Sequence, residues 1–499
     1  MNRLQAVFRT ALFLFTLVLM GSSILAQTSG LVGTVQDTTG AVIPGVDVSL
    51  LNQANNRERN VVTNDMGEYQ FFQVSPGSYT LTVELEGFKS FVINDLRLLV
   101  DNTLSQDVTM ETGQITEVVT VTGSAQVLNR TDATIGNTFN EIQIQELPIE
   151  SRNVVGLLTL QPGVTEDGEV SGARADQSNL TLDGIDVNDQ QTGEAFASVL
   201  RVTPDSVQEF RVTTASANAS QGRSSGAQVS LVTRSGTNEF HGAVYEYHRN
   251  TVTTANNFFN NRSGVDTPAL IRNLFGGRLG GPVIKDKVYF FYNYEGRTDR
   301  KAQSELRDVP LAHMGQGELK YENTAGDPIH LSNAEVNAYY PDVGTNSLAL
   351  AELAAAASRY PANDNSGGDG INTGGYRFNA NMPLNFHTHT AKLDFNLSEN
   401  HQVNVRGNYQ WDTYAFDASQ FPDTPGVDMW QHPTGIAANY TWTVSPTLVN
   451  TFRYGFTRQA YTRLGDSADP NIQFRFVFSP RQYYRTLSRV TPVHNFVDD

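Results

Sequence analysis

From about Asn238 onward the chain is written in segments of about ten residues in which apolar or aromatic side chains alternate with polar ones. "KVYFFYNYEG" (Lys287–Gly296) and "LVNTFRYGFTR" (Leu448–Arg458) show the pattern. A period of two sends successive side chains to opposite faces of a strand. Short breaks join such runs: Ser398-Glu399-Asn400 precedes "HQVNVRGNYQ", and Ser445-Pro446 separates "YTWTV" from "TLVNTFRYGF". Strands of this length, apolar on one face and polar on the other, are those of a transmembrane β-barrel, because only a closed barrel or helices satisfy the backbone within lipid. A soluble antiparallel β-protein has the same period. The 27 Phe and 19 Tyr, and the leader described next, favour the barrel.

Residues 1–26 read as a signal peptide. Arg3 and Arg9 form a positive start, "ALFLFTLVLM" (Ala11–Met20) an apolar core, and "SSILAQ" offers cleavage after Ala26. The alternative is a retained anchor, for which the apolar run is short against ~30 Å of hydrocarbon. No later stretch has the ~20 continuous apolar residues of a spanning helix. The protein is therefore exported. The absence of Cys excludes disulfides, thiolate zinc sites, a cysteine nucleophile and a lipidated cysteine. A net charge of −17 and a pI near 5 leave no basic patch for nucleic acid.

Between Gly30 and about Met110 the pattern is all-β. Val46, Val48 and Leu50 share one face, and so do Tyr79, Leu81, Val83 and Leu85, with a turn at Ser75-Pro76-Gly77. "GTVQDTTGAVIPGVDVSL", "TNDMGEYQFFQVSPGSYTLTV" and "EGFKSF" resemble the carboxypeptidase regulatory-like domain. That resemblance implies a transthyretin-like seven-strand β-sandwich over residues 27–112, non-catalytic in itself. The nine His form no HExxH, so a peptidase reading lacks its constellation. His387 and His389 in "HTHT" share a face and have a metal-binding reading, beside the plainer one of polar side chains on a barrel strand.

Residues 125–237 are mixed and Gly-rich, with a short helix expected over Ser151–Leu160 and Ser151 as its cap. The ordered series "NLTLDGIDVND" then "GAQVSLVTRSGTNEFHG" resembles the α/β plug of TonB-dependent outer-membrane receptors. Leu182, Asp183 and Gly184 are its turn motif, although a "DG" pair alone is an ordinary turn. The barrel then occupies 238–499, interrupted by a long extracellular loop at about 299–382. That loop holds a helix candidate, Ser347–Tyr360, and a Gly/Asn/Asp tract whose Asp364 and Asp369 have a Ca²⁺ reading at a spacing that fails the EF-hand pattern.

"ITEVVTVTG" (Ile115–Gly123) lies within the linker 113–124. It reads as a strand, yet no hairpin partner is evident. Glu117, Val118, Val119, Thr120, Val121, Thr122 and Gly123 resemble a TonB box. The resemblance implies a periplasmic segment that pairs, by strand addition, with the inner-membrane protein TonB. Gly113 and Gly123 bracket it as flexible joints. The alternative is a last strand of the sandwich or a first strand of the plug.

The whole order resembles the Oar-like branch of TonB-dependent receptors: all-β dominated, sandwich, plug, then transmembrane antiparallel barrel. Plugged barrels have about 22 strands. The residues after Asn238 are too few for that, and the ending "HNFVDD" lacks a terminal aromatic strand, so the barrel is expected to be incomplete. The implied function is energised import of a large or scarce solute at the cell outer membrane, with the sandwich in the periplasm. The implied partners are TonB, outer-membrane lipid and an extracellular solute. No enzyme activity and no cofactor is expected. A structural or adhesive surface protein, or an export channel, is the alternative.

Overall fold

The computed structural model describes residues 29–122, 133–147, 152–165, 167–191, 198–217, 225–445, 448–464, 474 and 485–498. The expectations for the leader, Gly123, Ser151 and Pro446 lie outside these residues.

The N-terminal body is a sandwich of β1 (Ser29–Asp37), β2 (Asp47–Asn52), β3 (Glu58–Val62), β4 (Glu68–Val74), β5 (Gly77–Glu84), β6 (Ser90–Leu98), β7 (Thr103–Ser105), β8 (Val108–Met110) and β9 (Val118–Thr122). One sheet runs β4–β1–β7, with β8 also beside β1; the other runs β3–β2–β5–β6–β9. β7 and β8 both run parallel to β1 on either side of Gln106, whose N–H donates to Val32 O at 2.8 Å. They act as one interrupted strand, so the seven-strand sandwich is complete before β9 is reached. The alternation expected from sequence is what fills the core: Val46, Val48, Leu50, Leu81 and Val83 are buried, with Leu31, Phe71 and Val108 facing them from the other sheet. Gly33 is required by close approach: a Cβ there lies 1.9 Å from Gln106 O, a backbone atom that cannot swing away.

The middle body is one sheet of β10 (Ile135–Asn140), β11 (Asn179–Leu182), β12 (Ile185–Asp186), β13 (Val207–Ala215) and β14 (Gln228–Thr233), in the order β10–β13–β14–β11–β12. Phe139 stacks on Phe210 at 4.5 Å in its core. The expected helix is a 3-10 helix, Val154–Leu160, with Asn153 as its cap. Arg152 takes a left-handed φ of 51°, which ends any helix reaching back past it.

The third body is an antiparallel sheet of β15 (His241–Asn250), β16 (Leu270–Ile284), β17 (Val288–Pro310), β20 (Thr373–Asn381), β21 (Leu384–Asn396), β22 (His401–Asp417), β23 (Val427–Gln431), β24 (Thr434–Ser445), β25 (Leu448–Leu464) and β26 (Leu487–Asp498). β18 (Leu319–Glu322) and β19 (Pro328–Leu331) make a separate hairpin in the insertion. The main path is β15–β16–β17–β21–β22–β24–β25–β26, with β20 on the far half of β17 and β23 bridging the far ends of β22 and β25. Among the described residues β15 and β26 do not pair, so the sheet is an open wall. Its faces are inverted relative to a soluble protein. On β22, Arg406, Asn408, Gln410 and Asp412 are buried against the middle body, while Tyr409 and Trp411 on the outer face are 48% and 54% exposed. Polar inside and aromatic outside is the arrangement lipid demands.

The insertion expected over 299–382 begins and ends as strand: β17 continues unbroken to Pro310, and β20 pairs along it. The β17 extension is polar on both faces from Asp299 to Glu305, which hides it from a hydrophobic-alternation reading, whereas β20 alternates Tyr376, Phe378 and Ala380 on one face. The helix Ser347–Arg359 matches expectation and is capped by Asn346, which accepts from Leu348 N at 2.9 Å.

Every core residue of the sandwich lies between Leu31 and Met110. Residues 27–112 expressed alone are therefore expected to melt in one cooperative transition. Gly33→Ala should lower that stability by about 3 kcal/mol through overpacking against backbone. Gly113→Ala, added to a 27–122 version, should cost much less, because its nearest neighbour is the flexible Lys89 side chain. Thermal unfolding by circular dichroism tests both, and a non-cooperative melt of the parent fragment counts against the boundary.

Candidate functional site

The site is the axis along which the three bodies meet, from β9 through the Asp183 turn to the barrel wall. β9 runs parallel to β6 with Ser90↔Val118, Phe91↔Val119, Val92↔Thr120, Ile93↔Val121 and Asn94↔Thr122 in register. Ser90 N–H donates to Glu117 O at 2.9 Å. The question of what this strand pairs with thus has an answer: it lies on the β6 edge of the sandwich, as the alternative of a last sandwich strand expected. β6 offers it an unpaired row of N–H and C=O groups, and β-branched residues accept the extended shape. Val118 and Val121 remain 58% and 42% exposed, so the strand is held by main-chain bonds more than by burial. Lys89 sits beside the junction, 3.5 Å from Glu117 and 3.2 Å from Glu111. Both contacts are solvent-exposed and individually weak.

Leu182, Asp183 and Gly184 form the hairpin turn between β11 and β12, with Leu182 paired to Ile185. Both turn residues have positive φ, 49° and 80°, the type I′ geometry that Asp-Gly suits. The Asp183 side chain is not a turn ornament. It is buried, its Oδ1 accepts from Thr233 N at 2.9 Å and its Oδ2 from Thr233 Oγ1 at 2.8 Å. Two barrel cations face it: Arg406 Nε lies 2.8 Å from Oδ2, and Lys392 Nζ lies 3.9 Å from Oδ1. Lys392 also donates to Thr233 O at 3.2 Å, and Arg406 Nη2 to Leu182 O at 3.2 Å. Lys392 and Arg406 are direct cross-strand partners. Two like charges side by side on the inner wall are tolerated because the turn supplies a carboxylate between them.

Further clamps hold the middle body to the wall. Arg201 pairs with Asp412 at 2.7 Å while lying over the Phe386 ring, and Arg152 bridges Asp205 at 2.7 Å and Glu295 at 3.0 Å. Sequence reasoning found none of these cations. A signal existed, since each barrel partner occupies an inward position of its strand, but only the strand register shows which charges meet.

The sandwich docks at the end of the wall that carries the tight turns. Asn56 Nδ2 donates to Asp286 at 3.2 Å, and Arg57 Nη2 to Glu399 O at 3.1 Å; Asp286 and Glu399 are turn residues. A cavity of about 730 Å³ lies where the three bodies meet, bordered by Gln73, Arg234, Arg278 and Asp394 among others. At the sandwich–plug junction, Val100 N–H donates to Glu209 Oε1 at 2.5 Å, and the Ser230 hydroxyl donates to Asp101. Burial pushes the Glu209 carboxyl up to about 7, against the Val100 N–H and Arg97, which lower it, and with Asp101 adding to the rise.

The metal readings do not gain a site. His387 and His389 share the outer face as expected, and the Nδ1 of each ring meets a tyrosine hydroxyl on the next strand: Tyr294 at 2.9 Å and Tyr292 at 2.7 Å. His401 does the same with Tyr440 at 2.7 Å. Asp364 is occupied by Arg377, Arg262, Ser263 and the Ser366 amide, and Asp369 accepts from the backbone amides of residues 371–373. Among the described residues no group of three or more His, Asp or Glu is gathered for a metal.

Two predictions follow from these contacts. Arg406→Ala leaves Asp183 buried beside the weaker Lys392 contact, and should loosen the plug by about 3 kcal/mol. Asp183→Asn combined with Arg406→Met should recover most of that loss; limited proteolysis of the plug reads both. The second concerns pH. A carboxyl whose folded pKa is raised stabilises the junction fully below about 4.5 and loses that contribution as pH rises through about 7. The melting temperature of the sandwich–plug junction should fall between pH 5 and 8, and Glu209→Gln should flatten the fall.

Comparison with known proteins places these features. The family described as Outer membrane beta barrel domain matches residues 232–494, and Carboxypeptidase regulatory-like domain matches 30–111. The TonB-dependent transporter Oar of Myxococcus xanthus is 30% identical over 294 residues, 56% of this chain and 27% of that protein. The chain thus spans about a quarter of the curated relative it matches. Among solved structures, the siderophore receptor PirA of Acinetobacter baumannii is 12% identical, with a TM-score of 0.43 over 72% of this chain and 44% of that one. The outer membrane transporter YddB of Escherichia coli is 11% identical, with a TM-score of 0.44 over 73% and 44%.

Proposed function

This chain belongs to the outer membrane beta barrel domain family, and we propose that it forms the sandwich, plug and first wall of a TonB-dependent receptor that imports a large or scarce solute. It is an outer-membrane protein. The proposed division is a leader at 1–26, a periplasmic sandwich at 27–112, a coupling segment at 113–124, a plug at 125–237 and barrel strands from 238 onward. The observation that carries the reading is the clamp itself. A separate sheet, preceded by a β-branched strand, lies against the polar inner face of a lipid-type wall through buried ion pairs, Asp183–Arg406 foremost. Buried charge pairs and polar contacts are a reversible seal: they hold a plug in place, yet a pull that brings water in exchanges them for hydration.

An outer membrane has no nucleotide supply, so the work must arrive mechanically from a periplasmic partner. Residues Glu117–Gly123 are the segment on which such a partner, TonB, acts by strand addition. The solute enters from the side of the long insertion, opposite the sandwich. A surface-adhesion role does not require a plug clamped inside the wall.

In the complete receptor, Val119→Pro removes one backbone donor and fixes φ near −65°. Surface binding of a labelled solute should persist while uptake stops. Val119→Ala keeps the donor and should be much milder. Normal uptake by the proline variant shows that the segment is a linker strand only.

A further inference from the structure

We propose that the β6 edge of the sandwich is a resting dock for the coupling strand, and that it competes with the periplasmic partner for the same strand. This rests on the proposed coupling role of residues 117–123. The sandwich is complete without β9: its seven strands and its whole hydrophobic cluster lie before Gly113. β9 adds five register pairs at the sheet edge and no residue to that cluster. The pairing is parallel, the weaker of the two ladder types per residue. The join has polar holdfasts at its start, the Ser90–Glu117 hydrogen bond and the exposed Lys89–Glu117 pair. An element bound mainly by exposed main-chain bonds opens at low cost, far below global unfolding.

Release is needed for transmission. While β9 stays paired with β6, a pull on it loads the sandwich, which is itself tied to the plug through Val100–Glu209 and to barrel turns through Asn56 and Arg57. Once β9 leaves β6, the pull runs along the chain to β10, the edge strand of the plug sheet. The dock also covers an edge that is otherwise open to pairing with other chains. The partner therefore works against a built-in competitor, and the receptor is silent until the strand detaches.

These 499 residues hold no Cys, and the two single-Cys variants of the complete receptor serve as controls for any other thiol. Val92→Cys with Thr120→Cys joins two residues in direct register, within the span a disulfide bridges. The complete receptor in outer-membrane vesicles is assayed for capture of the purified periplasmic domain of TonB. Oxidised, the double variant should capture at least about tenfold less than after reduction, and dithiothreitol should have no effect on the parent protein. As an independent arm, Lys89→Glu repels Glu117 and should lower the half-saturating partner concentration about threefold, the size of one exposed ion pair. Equal capture by the oxidised and reduced lock overturns the dock, since the partner then adds to the outer edge of the parked strand; the coupling role survives that result. No capture by the parent protein or the reduced lock overturns the coupling role, and the dock with it.

Discussion

The hydrocarbon outside the wall sets the terms for everything inside it. A strand that must show aromatic and aliphatic side chains to lipid on one face has only its other face for polar groups. On β17, β21 and β22 that inner face carries Asn293, Glu295, Thr388, Lys392, Asp394, Arg406 and Asp412, all buried. Buried charge without a partner is costly, so the wall needs a filler that brings opposite charges to the right heights. The middle sheet does this with Asp183, Arg152 and Arg201, placed by a two-residue turn, a left-handed residue and a loop. The plug is thus complementary to the wall in charge as well as shape, and each explains the composition of the other.

The outer face meets the same demand in a second way. Histidines and tyrosines on neighbouring strands satisfy one another's polar atoms, as in Tyr294–His387 and His401–Tyr440, while their ring bodies remain apolar surface. Two histidines at alternate positions read as metal ligands when only their own strand is considered. The adjacent strand, brought alongside by pairing, turns them into hydrogen-bonded ring pairs. The same holds for Asp364, which sequence places in a flexible-looking tract and the fold places between Arg262 and Arg377.

β9 shows what a sheet edge alone can hold. Its exposed Val118 and Val121 gain little from burial. It is bound by the part of strand chemistry common to all sequences, the backbone ladder, which any competing edge can replace.

What the sequence determined by itself is the set of local periods. Alternation placed Val46, Val48, Leu50 and Tyr79 in one core, Asp-Gly specified a tight turn at 183–184, and the inverted polarity of the later strands called for lipid. The helix at Ser347–Arg359 was also legible, because its alanine-rich run is a local preference. What only tertiary structure decided is pairing between distant segments. Nothing within "ITEVVTVTG" names β6 as its neighbour, since backbone edges carry no sequence label. Nothing near Asp183 names Lys392 and Arg406, which lie more than two hundred residues away and meet it because two adjacent strands register their cations at the height of one turn. Periodicity is a property of a segment and can be read from it; a charge clamp is a property of register, and register exists only when the strands have met.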